Sequence, residues 1–559
     1  MSDNKRVSQS GKKRSGFIMQ AGILAAASIL CRMIGLLYKS PLTGIIGDEG
    51  NGYYNTAYNI YTIILLVSSY SIPSAIAKVL AQRLALKEYR NAQRIFRCAL
   101  VYVMVVGGAA SLVLFLWAPF FVMGNSVTVL RFFAPTIFLY GLLGVLRGYF
   151  QAHQTMLQTS FSQILEQILN AAVSIGAAYG LMQMAAAGGA DGSTQAMYGA
   201  IGSALGTGSG VLIALLFMMA IYMLNRKTIQ KRIDNDRTKT EAEYKDIFRM
   251  MMAVVTPFIL STCIYNLGTA LNQTIYGQMM VHIKGMDEVA ATVSYGILAG
   301  KAVTVANIPI ALASAMSSAL VPTISSAYAQ GAIKQTKKKV ASAIKVTMLI
   351  SIPAAIGIGA LAKPVMMALF PQPGSLELAS QLLMGLAATV VFYGLSTLTN
   401  AVLQGIGRVN TPVVNAVVAL VVQTATLVPL LYYTEFGIYA VMIATVVYSL
   451  LMCILNNIFL RKYLDYRQEV DKTFMRPLFS AVMMGALAYG TYTGLSYLLG
   501  KILKQAYFVN LIALAVAVAL GVCLYFVLVI KLKAVKEDEL KALPKGNVCV
   551  KLAKKLKLL

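Results

Sequence analysis

Charge is scarce in this sequence of 559 residues: 12% of it is Asp, Glu, Lys or Arg, where a soluble domain carries roughly a quarter. The shortage leaves too little polar surface for a water-soluble globule of this length, and the 58% of hydrophobic residues need lipid. Histidine is almost absent, with His153 and His282 both at loop edges. No Cys-x-x-Cys and no cluster of His, Cys and acidic residues occurs, so a metal site is not expected. No G-x-x-x-x-G-K-[ST] is present, which excludes an ATP-driven motor in this chain, and there are no Ser-His-Asp candidates. The reading is therefore not an enzyme, with no cofactor. Six scattered cysteines exclude a disulfide scaffold. Cys31, Cys98, Cys263, Cys453 and Cys523 lie in apolar runs as small packing residues, and Cys549 is in the tail.

What the sequence has is long apolar runs and a net charge of +27. Fourteen segments are each about 20 residues or longer, enough to span a bilayer: 17–41, 53–80, 95–122, 129–150, 159–184, 197–224, 248–281, 288–327, 340–369, 376–404, 412–433, 437–461, 474–499 and 507–531. Their runs are continuous rather than alternating, so they predict helices and not a barrel. The fold class is an all-α integral membrane protein. With both termini on the cytoplasmic side, 39 of the 48 Lys and Arg residues fall in inner loops and tails, as the positive-inside rule requires. Arg131, Lys284, Lys363, Lys501 and Lys504 are the outer exceptions. The charge thus reports topology, not nucleic-acid binding, whose cations line one folded face. The basic start, Lys5 to Arg14, leads into a run too long for a cleavable signal.

Residues 134–151 (APTIFLYGLLGVLRGYFQ) align without gaps onto 387–404 (AATVVFYGLSTLTNAVLQ). The offset of six helices preserves orientation, so the repeat is parallel, as in two-lobed transporters. The expected organisation is a lobe at 1–224, a charged cytoplasmic linker at 225–247, a second lobe at 248–463, two further helices within 464–531, and a basic tail at 532–559 that either lies on an anionic inner leaflet or is simply solvated.

Four cations lie within spans: Arg32, Lys39, Lys78 and Lys301. One acid, Glu166, accompanies them. Charges at that depth are costly, by roughly 2.5–3.5 kcal/mol on insertion scales, and mark function or pairing. Four cations cannot all pair with one acid, which points to a hydrated cavity between lobes that takes an anionic substrate; Arg suits phosphate through its planar fork. Lys39 and Lys78 can instead snorkel toward the interfaces. Glu166 is a candidate counter-ion to Arg147, or a coupling site. Tyr54, Tyr58 and Tyr61 form an i, i+4, i+7 stripe that either faces the cavity or forms an interfacial aromatic belt, the belt being the favoured account. Asn266, Asn272, Gln273 and Asn307 are polar positions that line the cavity or hold helices together. Pro73, Pro257, Pro309 and Pro322 are expected to interrupt or bend helices 2, 7 and 8.

The stretch ILCRMIGLLYKSPLTGIIGDEGNGYYNTAYNIY, then SIPSAIAKVLAQRLALKEYRNAQRIFR, and later NIPIALASAMSSALVPTISSAYAQG, resembles the SpoVB and MurJ-like flippases of the multidrug/oligosaccharidyl-lipid/polysaccharide exporter superfamily. The resemblance covers most of the chain. It implies translocation of a polyprenyl-pyrophosphate-linked sugar such as lipid II across the bacterial cytoplasmic membrane by alternating access. It places the pyrophosphate in a cationic cavity and the prenyl tail beside helices 13 and 14. Arg32, in Cys31-Arg32-Met33-Ile34-Gly35, matches the family's basic motif in helix 1. Where relatives often continue with Arg-Asp, this sequence reads Tyr38-Lys39. Lys301 lies near the family's arginine in helix 8. The expected partners are the lipid-linked anionic sugar and membrane lipids, with no nucleic acid, and the transporter is expected to be a monomer. Sodium, protons or the membrane potential would drive it. The alternatives are another lipid-linked polysaccharide unit, a cation-coupled multidrug exporter of the same fold, which cavity acids would favour, and a non-transporting scaffold.

Overall fold

The structure is a computed structural model that describes residues 2–70, 72–153, 155–236, 243–503 and 505–535. Among helical residues, side chains are outside that description for most of 2–29, and for Lys78, 253–265 and 318–323 among others. The described chain is helical throughout. Its helices are α1 Ser2–Leu65, α2 Ile72–Ala85, α3 Tyr89–Leu116, α4 Ala118–Phe121, α5 Ser126–Ala152, α6 Met156–Ala187, α7 Gly192–Leu224, α8 Arg226–Asp234, α9 Tyr244–Gln278, α10 Glu288–Gly296, α11 Val303–Ala329, α12 Ile333–Ala360, α13 Ala362–Leu369, α14 Pro373–Gly405, α15 Asn410–Tyr433, α16 Ile438–Leu464, α17 Arg476–Ile502 and α18 Ala506–Lys531.

Among the described residues, eleven helical spans are long and apolar enough to cross a membrane. They coincide with eleven of the fourteen expected segments. The other three, 17–41, 53–80 and 248–281, each include side chains outside the described residues. α1 runs through the expected first loop, broken at Gly47, whose φ of 68° and ψ of −177° are non-helical. Such a φ is open to glycine at little cost.

Two compact units result. One runs to Gly277 and takes in Met286–Gly296; the other comprises Gln278–Gly285 and the chain from Ile297 onward. The helix pairings inside them correspond. α5 packs on α3 and α7 in the first unit, and α14 packs on α12 and α16 in the second. The aligned Tyr-Gly pairs show why. A Cβ on Gly141 would stand 2.6 Å from Val103 Cγ1 of α3, and one on Gly394 would stand 2.7 Å from Ser351 Oγ of α12. At both glycines an added methyl group would displace a side chain of the neighbouring helix.

Pro309 does not break its helix; it is buried within α11. The interruption in this region is the π-helical segment Ile297–Ala302 between α10 and α11. A wide turn of this kind leaves backbone groups out of the regular ladder and often sits where a helix carries function. The Pro257 and Pro322 side chains lie outside the described residues.

Candidate functional site

In the first unit α1 brings Arg32 and Lys39 to one face, seven residues and about 10 Å apart along the axis. Arg32 is exposed and Lys39 half-buried. Among the described residues Arg32 has neither a hydrogen bond nor an ion pair. Their neighbour Tyr38 turns the other way, buried with Leu42, Ile46 and Ala178, and accepts a bond from Asn170 Nδ2 at 3.5 Å. The α1 helix is held against α6 and α7. α7 itself packs tightly on α6 because Gly202, Gly206 and Gly210 recur every fourth residue; a Cβ on any of them would fall within 2.6 Å of α6 atoms.

The acid on α6 is occupied. Glu166 Oε2 accepts from Arg147 Nη2 at 2.7 Å, and Arg147 Nε donates to Ser162 Oγ at 2.9 Å. Ser162 Oγ in turn donates to the Thr159 carbonyl. The pair is largely buried, so each ion satisfies the other where water cannot.

The tyrosine stripe faces inward, which corrects the expectation of an interfacial belt. Tyr54 and Tyr61 are buried. Tyr54 stacks on Tyr58 with centroids 5.5 Å apart, and Tyr61 stacks on Phe133 of α5 at 4.7 Å. Three aromatic rings at helical spacing bury their faces against α5 more favourably than they would at the lipid boundary, because Phe133 supplies a matching ring.

A seam joins the second half of α1 to α9 and α10. Asn59 Nδ2 donates to Gln273 Oε1 at 2.8 Å, and Gln273 Nε2 donates to the Thr56 carbonyl at 2.9 Å. Asn51 Nδ2 reaches the Gly296 carbonyl at 3.3 Å. Between them the backbones nearly touch: a Cβ on Gly296 would lie 2.4 Å from Gly52 Cα. Gln273 therefore holds helices together rather than lining open space. Asn272 is buried and Asn266 half-buried, whereas Asn307 is exposed on α11.

Lys301 belongs to the second unit and is fully buried, not on an open wall. Its Nζ donates to Gln372 Oε1 at 2.8 Å and to Ser375 Oγ at 2.6 Å, both at the start of α14. The π-helical segment aims the side chain at this loop. The Lys78 side chain lies outside the described residues.

Sequence reasoning passed over two features. One is the glycine stripe of α7, legible as G-x-x-x-G-x-x-x-G. The other is a buried amide cluster in the second unit. There Asn415 Nδ2 donates to Asn456 Oδ1 at 2.9 Å, and Asn456 Nδ2 donates to Asn400 Oδ1 at 2.7 Å. Its members come from α14, α15 and α16, and no local pattern connects them. Among the described residues no group of His, Cys, Asp and Glu could hold a metal.

Residues 93–516 match the family described as lipid II flippase MurJ. The chain belongs to the MurJ family. It is therefore a multi-pass membrane flippase of the MOP superfamily, a transporter and not an enzyme. It is 23% identical over 479 residues to the lipid II flippase MurJ of Bacillus subtilis (strain 168), covering 82% of this chain and 86% of that protein. It is 25% identical over 544 residues to stage V sporulation protein B of the same organism, covering 94% and 98%. A solved lipid II flippase MurJ in an inward closed conformation shares the fold with a TM-score of 0.65 at 12% identity, over 90% of this chain and 97% of that one. An inward-facing MATE family multidrug transporter aligns with a TM-score of 0.63 at 16% identity, over 78% and 94%. The MurJ-family fold thus spans nearly the whole of this chain.

Proposed function

We propose that this chain moves a polyprenyl-pyrophosphate-linked cell-wall precursor, lipid II, from the inner to the outer leaflet of the bacterial cytoplasmic membrane. Fourteen helices in two six-helix lobes plus two carry it, with both termini cytoplasmic, and alternating access is the mechanism. One observation carries the reading. Arg32 is an exposed guanidinium in an apolar helix, without a described protein partner, and Lys39 stands two turns along the same face. A planar fork with a second cation behind it fits a pyrophosphate. The names of the relatives supply the glycolipid.

The multidrug alternative is weaker here because Glu166, the one acid expected within a span, is held by Arg147 and is not offered to a cationic drug. The same pairing favours a counter-ion role for Glu166 over ion coupling. A second reading stays close: the resemblance to stage V sporulation protein B, whose name states no cargo, is as extensive as that to the lipid II flippase, so another lipid-linked polysaccharide unit is the alternative cargo.

Depletion and complementation test the proposal. The wild-type gene should rescue a strain depleted of its lipid II flippase, and Arg32→Ala should not, while remaining membrane-inserted. Lys504→Ala should rescue normally. Lipid II accumulating in the inner leaflet under Arg32→Ala supports lipid II as cargo. Rescue by Arg32→Ala would overturn the assigned role.

A further inference from the structure

A groove of about 500 Å³ opens on the first unit between α3 and α5. Gly108, Leu112 and Phe115 of α3 form one wall, and Pro135 and Phe138 of α5 the other. Its lining is mostly carbon. Within it Ser111 Oγ donates to the Ala134 carbonyl at 2.7 Å. α3 is largely exposed along its length, with Val105, Leu112, Phe115 and Leu116 all facing outward. In a membrane such a face meets hydrocarbon.

The groove has a charged rim. Arg131, one turn before Pro135 on α5, places its guanidinium carbon 5.9 Å from the centre of the Phe115 ring. Its Nε donates to the Phe115 carbonyl at 3.3 Å. That bond caps one of the last carbonyls of α3 and fixes the side chain. Among the described residues the two terminal nitrogens of Arg131 have no hydrogen-bond partner. α3 runs outward and α5 returns inward in the topology proposed above. The groove therefore lies in the outer half of the bilayer, with Arg131 at headgroup depth.

We propose that this groove is a binding site for an anionic phospholipid of the outer leaflet, with an acyl chain between α3 and α5 and the phosphate on Arg131. A hydrocarbon slot beneath a fixed, half-satisfied guanidinium matches a lipid that bears both groups. The slot extends from Gly108 to Phe115, about 10 Å of helix rise, which suits part of one acyl chain in one leaflet. The inference rests on the proposed topology for its leaflet, not on the identity of the cargo.

The chain carries its own reporter. Trp117, its one tryptophan, follows α3 directly and is 57% exposed. The full-length protein would be reconstituted in phosphatidylcholine vesicles doped with brominated phosphatidylglycerol or brominated phosphatidylcholine, and quenching of Trp117 measured. The anionic lipid should associate roughly fivefold more strongly, as expected for one cation at the surface. Arg131→Gln should remove the preference. Gly108→Leu should lower quenching by both lipids by filling the slot; a Cβ there meets only the Phe138 ring, at 3.9 Å, an ordinary contact. Equal quenching by the two lipids in the wild type, or quenching unchanged in both variants, would overturn the proposal. Relief of quenching by added polyprenyl pyrophosphate at low mole fraction would also overturn it, and would give the groove to the prenyl chain. The assay needs no transport, so its failure is distinct from a failure of complementation.

Discussion

Arg147 and Glu166 face each other across α5 and α6 at 2.7 Å, with only 6% and 15% of their side chains exposed. Removing one member leaves a buried charge without its partner, which costs about 3–5 kcal/mol, whereas replacing both with apolar residues is often neutral. Arg147→Met and Glu166→Met should each lower thermal stability in detergent sharply, and the double variant should recover most of the loss. Additive losses in a double-mutant cycle would show that the two side chains do not act as a pair.

Lys301 is a buried ammonium that donates to Gln372 and Ser375 at the start of α14, where the helix dipole disfavours a cation. The dipole offsets part of what those two bonds contribute. Lys301→Met keeps the volume and should leave the melting temperature within a few degrees. Loss of complementation with an unchanged melt would assign Lys301 to transport; loss of both would make it structural.

Gly52 and Gly296 let α1 and α10 meet backbone to backbone. A methyl group on Gly296 cannot fit beside Gly52 Cα at 2.4 Å, so Gly296→Ala must part the helices. Overpacking of this kind costs about 1–3 kcal/mol. The variant should melt earlier and strain the Asn51 bond to the Gly296 carbonyl. An unchanged melting temperature would mean that the seam is loose.

His153 ends α5 on the expected cytoplasmic side, its ring 4.4 Å from that of Tyr149. Burial holds its pKa below the ordinary 6.5. The unfolded chain therefore takes up the proton at a higher pH than the folded one. The stability is intact above about pH 6.5 and falls as the pH drops from there through the folded value. Melting temperatures measured between pH 7.5 and 5 should decline, and His153→Gln should flatten that part of the curve. An identical slope in the variant would assign the decline to other groups.

The segments and the candidate cations were legible because lipid imposes a length on every span and a cost on every charge inside it. The Tyr-Gly repeat was legible because both halves use it for the same packing, α5 on α3 and α14 on α12. The direction of each side chain was not. Tyr54, Tyr58 and Tyr61 have the spacing of a belt and of a core stripe alike; only the position of Phe133 decides between them. Asn59 and Gln273 are 214 residues apart, and nothing local joins them.

From the sequence alone came the membrane, the helical class and the resemblance to the flippases, since these follow from hydrophobic run length, charge placement and extended motifs. The tertiary structure decided which polar groups are already satisfied. Glu166 is bound to Arg147, Lys301 to the start of α14, and Gln273 to α1, while Arg32 is exposed on its helix. Whether a charge is a ligand or a brace depends on what stands within 3 Å of it, and for these residues that neighbour is brought in from another helix.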